Sequence, residues 1–274
     1  METRAPHALV IGGGGLIGGA WELGVLSGLR EHGFEHADLV LGTSIGAVVG
    51  AAACAGTSDE SVLRAAAELG PAVSTYLSRV DPTLMTQIMG RGFGLAAEER
   101  ATIGGLAAQA DSGPETEFID SVSTLLLSDG WPPGLAVTGV AIDNGEFVTW
   151  DERSGVPLQR AVAASCAGPG LFPPVNVDGR RYIDGGIRSP TNADRASGHE
   201  RVVIITAIGD EDFQQLLNAE AASLRRAGAR VLVVTPDERS IAAIGPDTFD
   251  VTRLDAVWRA GRRQVRSASA VSFD

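Results

Sequence analysis

The feature that most constrains the fold occurs twice near the N-terminus: a short apolar run, then glycine, then a helix pattern. Residues 8–11 are apolar and end in four consecutive glycines, after which residues 17–31 carry apolar residues at helical spacing. Residues 38–41 form a second apolar run, followed over 45–55 by small residues that suit a helix packed closely on a sheet. Two strand–loop–helix units in succession predict a parallel β-sheet with right-handed crossovers.

The strand pattern disappears over residues 57–131, where helices are broken at Pro71, Pro82 and the glycine-rich stretch 90–94. It returns beyond them, with strands predicted at 135–142, 146–150, 172–177, 180–183, 202–207 and 230–234, and helices at 157–164, 212–227 and 252–267. No repeat or linker marks a boundary, so we expect a single domain over 1–274.

Two turn sequences predict hairpins between neighbouring strands. In Asp143-Asn144-Gly145 the Asn-Gly pair is expected to supply two positive-φ positions, and Asp178-Gly179 joins the later pair of strands.

An apolar stripe within the helical region has two interpretations. Its members fall close to helical spacing: Leu84, Met85, Ile88, Met89 and Phe93. Such a stripe is more typical of a core, and the alternative is a lid that faces a substrate.

Composition excludes several functions. All 22 basic residues are arginine, which rules out a lysine Schiff base and a P-loop. With 34 acidic residues the net charge is −12, which argues against nucleic-acid binding and against attraction to anionic membranes.

The sequence shows no pattern of a metal site, a disulfide framework or a membrane-spanning segment. Cys54 and Cys166 show no metal-ligand or disulfide spacing, and we interpret both as small buried hydrophobic residues. No signal peptide or apolar segment of about 18 residues is found, so a cytoplasmic protein is expected. No metal or cofactor is predicted.

The strongest catalytic motif is Gly42-Thr43-Ser44-Ile45-Gly46, a G-x-S-x-G sequence between a predicted strand and helix. A sharp strand-to-helix turn holds such a serine with its hydroxyl exposed, and the flanking glycines avoid clashes. The following helix N-terminus favours developing negative charge. Ser44 is therefore the candidate nucleophile.

The first glycine loop is compatible with two kinds of site. Gly13, Gly15 and Gly18 satisfy G-x-G-x-x-G directly after a strand, as in a dinucleotide-binding loop. A dinucleotide site requires an acidic residue at the end of the second strand. Here that strand ends in Leu41-Gly42, and the motif that follows presents Ser44 instead. An oxyanion hole is thus favoured, with dinucleotide binding and a purely structural loop as the alternatives.

A serine nucleophile needs a base, and the best-placed carboxylate is Asp184 in Asp184-Gly185-Gly186. An aspartate in a glycine turn is often only a turn former. Among the histidines, His7, His32 and His36 have the character of solvated or structural residues. His199 would complete a triad in α/β-hydrolase order, but that fold places its nucleophile after several strands.

In order along the chain, the glycine loop, G-x-S-x-G and D-G-G resemble the patatin-like phospholipase family. The stretch 161–174 resembles that family's approach to its catalytic aspartate, with an Ala- and Ser-rich helix, Pro169 and Phe-Pro-Pro at 172–174. The resemblance covers residues 8–192. Many members carry Arg or Lys directly after the glycine run, where this chain has Leu16.

The resemblance implies a three-layer α/β/α sandwich with a mainly parallel sheet and a Ser-Asp dyad without histidine. Ser44 would be the nucleophile and Asp184 the general base. The implied oxyanion donors are the backbone N–H groups of Gly13, Gly14, Gly15 and Ile45.

The function expected from the resemblance is a serine acyl hydrolase that cleaves lipid or small carboxyl esters through an acyl-Ser44 intermediate. The region 57–131 would supply a lid or substrate pocket, and peripheral contact with a membrane is compatible with this function. The alternative is a non-catalytic member that binds lipid or a protein partner. The oligomeric state is not predicted.

Overall fold

A computed structural model describes residues 7–34, 37–128, 130–209 and 211–267. Its strands form one mixed eight-stranded sheet in the order β5-β6-β3-β2-β1-β7-β8, with β4 paired to β3. The strands β1 to β8 are His7–Ile11, Leu39–Gly42, Leu135–Ala141, Phe147–Trp150, Val175–Val177, Arg180–Asp184, Arg201–Ile205 and Arg230–Val234.

Helices connect the strands and cover the sheet. The helices α1 to α11 are Gly15–Glu31, Ile45–Ala55, Asp59–Glu68, Gly70–Leu77, Pro82–Met89, Ala97–Ala107, Glu115–Ser123, Leu158–Cys166, Glu211–Arg226, Glu238–Ile244 and Leu254–Ser267. Within the described ranges, none of these helices is long and apolar enough to cross a membrane.

Alternate residues of the central strand β1 face different helices, as the two-residue period of a strand requires. Leu9 and Ile11 belong to the core formed with α1 and α2. Ala8 and Val10 belong to a second core, which includes Phe213 of α9. Helices therefore flank a mostly parallel sheet on both faces, which confirms the predicted α/β/α fold class.

Strand β3 brings the ends of β2 and β6 together. β2 pairs in parallel with β3, Gly42 opposite Val137, whereas β6 pairs antiparallel, Asp184 opposite Gly139. β4 pairs with both Val137 and Gly139, so β2 and β6 must share the other edge of β3. They run towards each other along that edge, and their C-terminal ends meet two residues apart.

The local predictions hold for most elements. The described part of 57–131 is helical, and both predicted hairpins form. The Asp143-Asn144-Gly145 prediction is wrong in one detail: in that turn only Gly145 has positive φ, at 68°, because the loop is longer than two residues. In the second hairpin Asp178 and Gly179 are both positive, at 51° and 84°.

Helices α1 and α11 pack with their backbones in contact. A Cβ atom on Gly24 would lie 2.1 Å from the carbonyl oxygen of Trp258, and one on Gly261 would lie 2.3 Å from that of Trp21. Because the neighbours are backbone atoms, no side-chain rotation could relieve either clash. Glycine at these positions lets the helix that begins in the glycine loop be held closely by the last helix.

We expect Gly261→Ala to lower the free energy of unfolding by about 1–3 kcal/mol, since the two helices must separate to admit the methyl group. Gly105→Ala is the matched control, because Gly105 is exposed on α6 and a Cβ there meets no atom within 4 Å. Its helix propensity should raise stability by about 0.5–1 kcal/mol. Urea unfolding of both variants measures the difference, and equal effects would contradict this packing.

Candidate active site

Ser44 lies two residues beyond the end of β2, at the N-cap of α2, with φ 56° and ψ −131°. A positive φ is strained for serine, and the surrounding backbone must hold it. A Cβ on Gly46 would lie 2.3 Å from the carbonyl oxygens of Ile11 and Gly12, and one on Gly42 would lie 2.4 Å from a backbone atom of α2. Glycine is required at both positions because the turn presses against β1 and α2.

The Ser44 backbone N–H donates a hydrogen bond of 2.9 Å to Oγ of Ser165, a buried residue near the end of α8. This bond ties the strained turn to a helix more than a hundred residues away. It also keeps the Ser44 N–H from serving as an oxyanion donor. Sequence reasoning assigned no role to Ser165, although it lies inside the stretch 161–174 that carries the family resemblance.

Asp184 is the last residue of β6, and its half-buried carboxyl group faces Ser44. The carboxyl accepts a hydrogen bond of 2.7 Å from the Gly186 N–H, and the Ser44 hydroxyl lies close enough to lower its pKa. Burial raises the pKa of Asp184 from 3.8 to about 6, against the opposing effects of the Ser44 hydroxyl and the Gly186 N–H. The group is thus a stronger base than an ordinary aspartate, yet it is mostly ionised at neutral pH.

The glycine loop offers fewer donors than the sequence implies. The Gly13 N–H already donates to the carbonyl oxygen of Pro190 at 3.0 Å, which corrects its assignment to the oxyanion hole. Within the described residues, the N–H groups of Gly14, Gly15 and Ile45 have no hydrogen-bond partner. These groups lie at the N-termini of α1 and α2, where the helix dipoles favour negative charge.

Gly14 and Gly18 let α1 approach the end of β7. A Cβ on either residue would lie 2.9 Å from Cβ of Ala207. Their spacing is therefore explained by packing of the helix start against the sheet. β2 ends without an acidic residue, and a dinucleotide site gains no support from the structure.

The three histidines within the described ranges lie away from this site. Strands β1, β2 and β7 are parallel, and Ser44 follows the C-terminal end of β2. His7 begins β1 and His199 precedes β7, so both lie at the opposite edge of the sheet. The alternative of a triad through His199 is therefore wrong. His32 follows α1, at the same distant edge, and His36 lies outside the described residues.

Ser44 and Asp184 open into a cavity of about 440 Å³. Among the described residues, Asp184 is the only charged side chain in its lining. Phe118 and Phe172 stack with their ring centroids 4.9 Å apart, and Tyr76 meets both rings edge-on. The cavity suits an apolar chain attached to a group that reacts at Ser44. In the described part of the chain no cluster of His, Cys, Asp or Glu could hold a metal ion.

Most of the apolar stripe at 84–93 lines this cavity, but Ile88 is also buried in a small core against which Leu84 packs. Met85, Ile88, Met89 and Phe93 line the cavity, and Met89 is 63% exposed. The stripe is therefore partly core and partly cavity wall.

The cysteines are less buried than expected. Cys54 and Cys166 are both only half-buried, which corrects the expectation of two core residues. Cys166 follows Ser165 and lines the cavity. Burial and the nearby Asp184 charge raise the pKa of its thiol well above the usual range, so it remains protonated.

Comparison with known proteins matches residues 9–197 to the family described as patatin-like phospholipase. Two curated relatives, uncharacterized NTE family proteins of Mycobacterium tuberculosis and Mycobacterium bovis, are each 33% identical over 183 residues. The matched segment is 67% of this chain but 43% of theirs, so the chain spans less than half the length of these relatives.

Two solved structures are also similar. VipD from Legionella pneumophila has 14% identity and a TM-score of 0.45, over 96% of this chain and 66% of that chain. The ExoU–SpcU complex of the Pseudomonas aeruginosa type III secretion system has 16% identity and a TM-score of 0.42, over 95% and 50%.

The raised pKa of Asp184 makes a prediction about stability. Since the folded pKa exceeds the unfolded value of 3.8, the wild type loses stability as pH rises from about 4 through about 6. Asp184→Asn cannot ionise, and we expect it to be more stable than the wild type at pH 8, by up to about 3 kcal/mol. Urea unfolding at pH 4 and pH 8 tests this, with the difference vanishing at pH 4. A variant less stable than the wild type at pH 8 would contradict it.

Proposed function

Because this chain belongs to the patatin-like phospholipase family, we propose that it is a serine acyl hydrolase acting on carboxyl esters of lipids or lipid-like molecules. The observation that carries the proposal is the placement of the Ser44 hydroxyl beside the Asp184 carboxyl, both in the lining of an apolar cavity. A nucleophile within hydrogen-bond reach of its base is the minimum unit for covalent catalysis.

In the first step the Ser44 Oγ attacks the ester carbonyl carbon, and its proton passes to the Asp184 carboxylate. The carbonyl oxygen becomes an oxyanion, which the N–H groups of Gly14, Gly15 and Ile45 stabilise. When the intermediate collapses, the ester C–O bond breaks and the leaving alkoxide takes the proton from Asp184. The products are an alcohol and acyl-Ser44.

In the second step a water molecule attacks the acyl carbonyl carbon, and Asp184 accepts a proton from it. Collapse of the second oxyanion intermediate breaks the bond to Ser44 Oγ, which regains the proton from Asp184. The carboxylic acid is then released. Each step uses the same base and the same donors, and neither uses a cofactor.

The electrostatics of the cavity favour a neutral or zwitterionic ester. Its walls are apolar, the one charged group in its described lining is the Asp184 carboxylate, and Leu16 contributes no positive charge beside the glycine loop. The net charge of −12 also disfavours approach to an anionic bilayer. An anionic head group would find no cationic partner in this lining.

We expect Ser44→Ala and Asp184→Asn each to lower kcat on a neutral ester by about 10³-fold or more, because the nucleophile and base act as one unit. His199→Ala is the matched control and should retain activity. A fluorophosphonate probe should label the wild type and His199→Ala but not Ser44→Ala.

The pH profile gives a second measurement on the same dyad. The base must be ionised, so kcat/KM should rise with pH through about 6, the pKa of Asp184. A wild type that hydrolyses no ester and resists the probe would leave the non-catalytic, lipid-binding interpretation in its place.

The size of the cavity should determine which acyl-chain lengths the protein accepts. Val122 of α7 is buried in the cavity lining, in the same helix as Phe118. We expect Val122→Phe to fill part of the space and to lower kcat/KM for a long-chain ester by about tenfold or more relative to a short-chain ester. The short ester is the internal control, and an unchanged ratio would show that the acyl chain binds elsewhere.

A further inference from the structure

The loop at 188–193, which follows the Asp184 turn, carries a buried side chain that joins two parts of the candidate site. Asn192 is fully buried, and its Nδ2 donates to Oγ1 of Thr43 at 3.1 Å and to the carbonyl oxygen of Gly185 at 3.2 Å. A third contact goes to the Ser189 carbonyl oxygen at 2.7 Å. Thr43 directly precedes the nucleophile, and Gly185 directly follows the base.

The orientation of this amide is fixed by its partners. The carbonyl oxygens of Gly185 and Ser189 can only accept, so the nitrogen of Asn192 must face them. Its Oδ1 accepts from Nη1 of Arg188 at 2.8 Å. The backbone of Asn192 has φ 52°, a left-handed conformation that asparagine tolerates better than most residues.

The same loop contacts the glycine loop and the segment after α5. The carbonyl oxygen of Pro190 accepts the Gly13 N–H, and that of Arg188 accepts the Gly94 N–H at 3.1 Å. Residues 188–193 therefore contact the glycine loop and the segment after α5, as well as the two turns that carry Ser44 and Asp184.

Helix α9 holds the loop from behind. The carboxylate of Glu220 in α9 accepts two hydrogen bonds from the loop, one from Oγ1 of Thr191 at 2.6 Å and one from the N–H of Ala193 at 3.3 Å. Arg188 is paired with Asp194 at 2.7 Å. The loop is thus a braced element, and its side chains have defined positions.

We propose that Asn192 is a positioning residue that sets the separation of Ser44 and Asp184. The turn at 43–44 follows β2 and the turn at 185–186 follows β6, and the ends of these two strands face each other. Among the described residues, no backbone hydrogen bond joins the two turns. The Asn192 amide spans that gap. This inference rests on the proposed function, since it concerns the geometry of the same dyad.

The test compares kcat and KM of the wild type with those of Asn192→Gly. Glycine adopts φ 52° without strain, so this variant removes the amide and leaves the backbone as it is. We expect kcat to fall by about 10–100-fold, as for other residues that orient a reacting group through one intermediate, with KM within about threefold. Ser240→Ala is the control, because it loses a buried hydrogen bond of 2.9 Å to Gln264 far along the chain from the site. It should keep wild-type kcat.

A second pair of variants probes the same link from the other side. Thr43→Val removes the hydroxyl that accepts from Asn192, whereas Thr43→Ser keeps it. A lower kcat in Thr43→Val and a wild-type kcat in Thr43→Ser support the proposal. If Asn192→Gly does not fold, the Thr43 pair is the deciding test.

The outcomes separate the two proposals. A folded Asn192→Gly with wild-type kcat, or a change in KM alone, overturns the positioning role while Ser44-dependent hydrolysis by the wild type upholds the proposed function. Likewise Thr43→Val with wild-type kcat overturns the positioning role. If the wild type shows no Ser44-dependent hydrolysis or labelling, both proposals fail together.

Discussion

The juxtaposition of Ser44 and Asp184 depends on two strands that meet head to head. β2 and β6 share one edge of β3 and run in opposite directions, so residues from distant parts of the chain leave the sheet at the same point. A purely parallel sheet would not produce this meeting, because all its strands end at one edge side by side. The antiparallel part of the sheet is thus what places a carboxylate opposite the serine.

Burial has two opposite effects on this arrangement. Removing Asp184 from water raises its pKa to about 6 and strengthens it as a base, while the same desolvation weakens the folded state once the group ionises. The hydrogen bond from the Gly186 N–H stabilises the ionised carboxylate and so offsets part of the free energy lost through desolvation. Ser44 adds backbone strain, which Ser165 and the neighbouring glycines hold in place. Two destabilising local features therefore coincide with the reacting atoms.

Sequence reasoning reached the features that depend on neighbours in the chain. The strand–loop–helix units and the turn around Ser44 are encoded within a few residues, and the structure contains them. It did not reach the engagement of Gly13, because the partner carbonyl belongs to Pro190 on another segment. Asn192 was equally hidden: it acts on a residue 149 positions earlier, and a single asparagine in a polar loop gives no local signal.

The charge distribution of the cavity bears on what happens after the ester is cleaved. A neutral ester enters a space whose one charged group in the described lining is negative, and the proposed reaction turns it into an acid that ionises near neutral pH. The product then carries the same sign as Asp184 and finds no counter-ion in that lining. Mutual repulsion would expel the anion from the pocket, so catalysis itself changes a ligand that fits into one that does not.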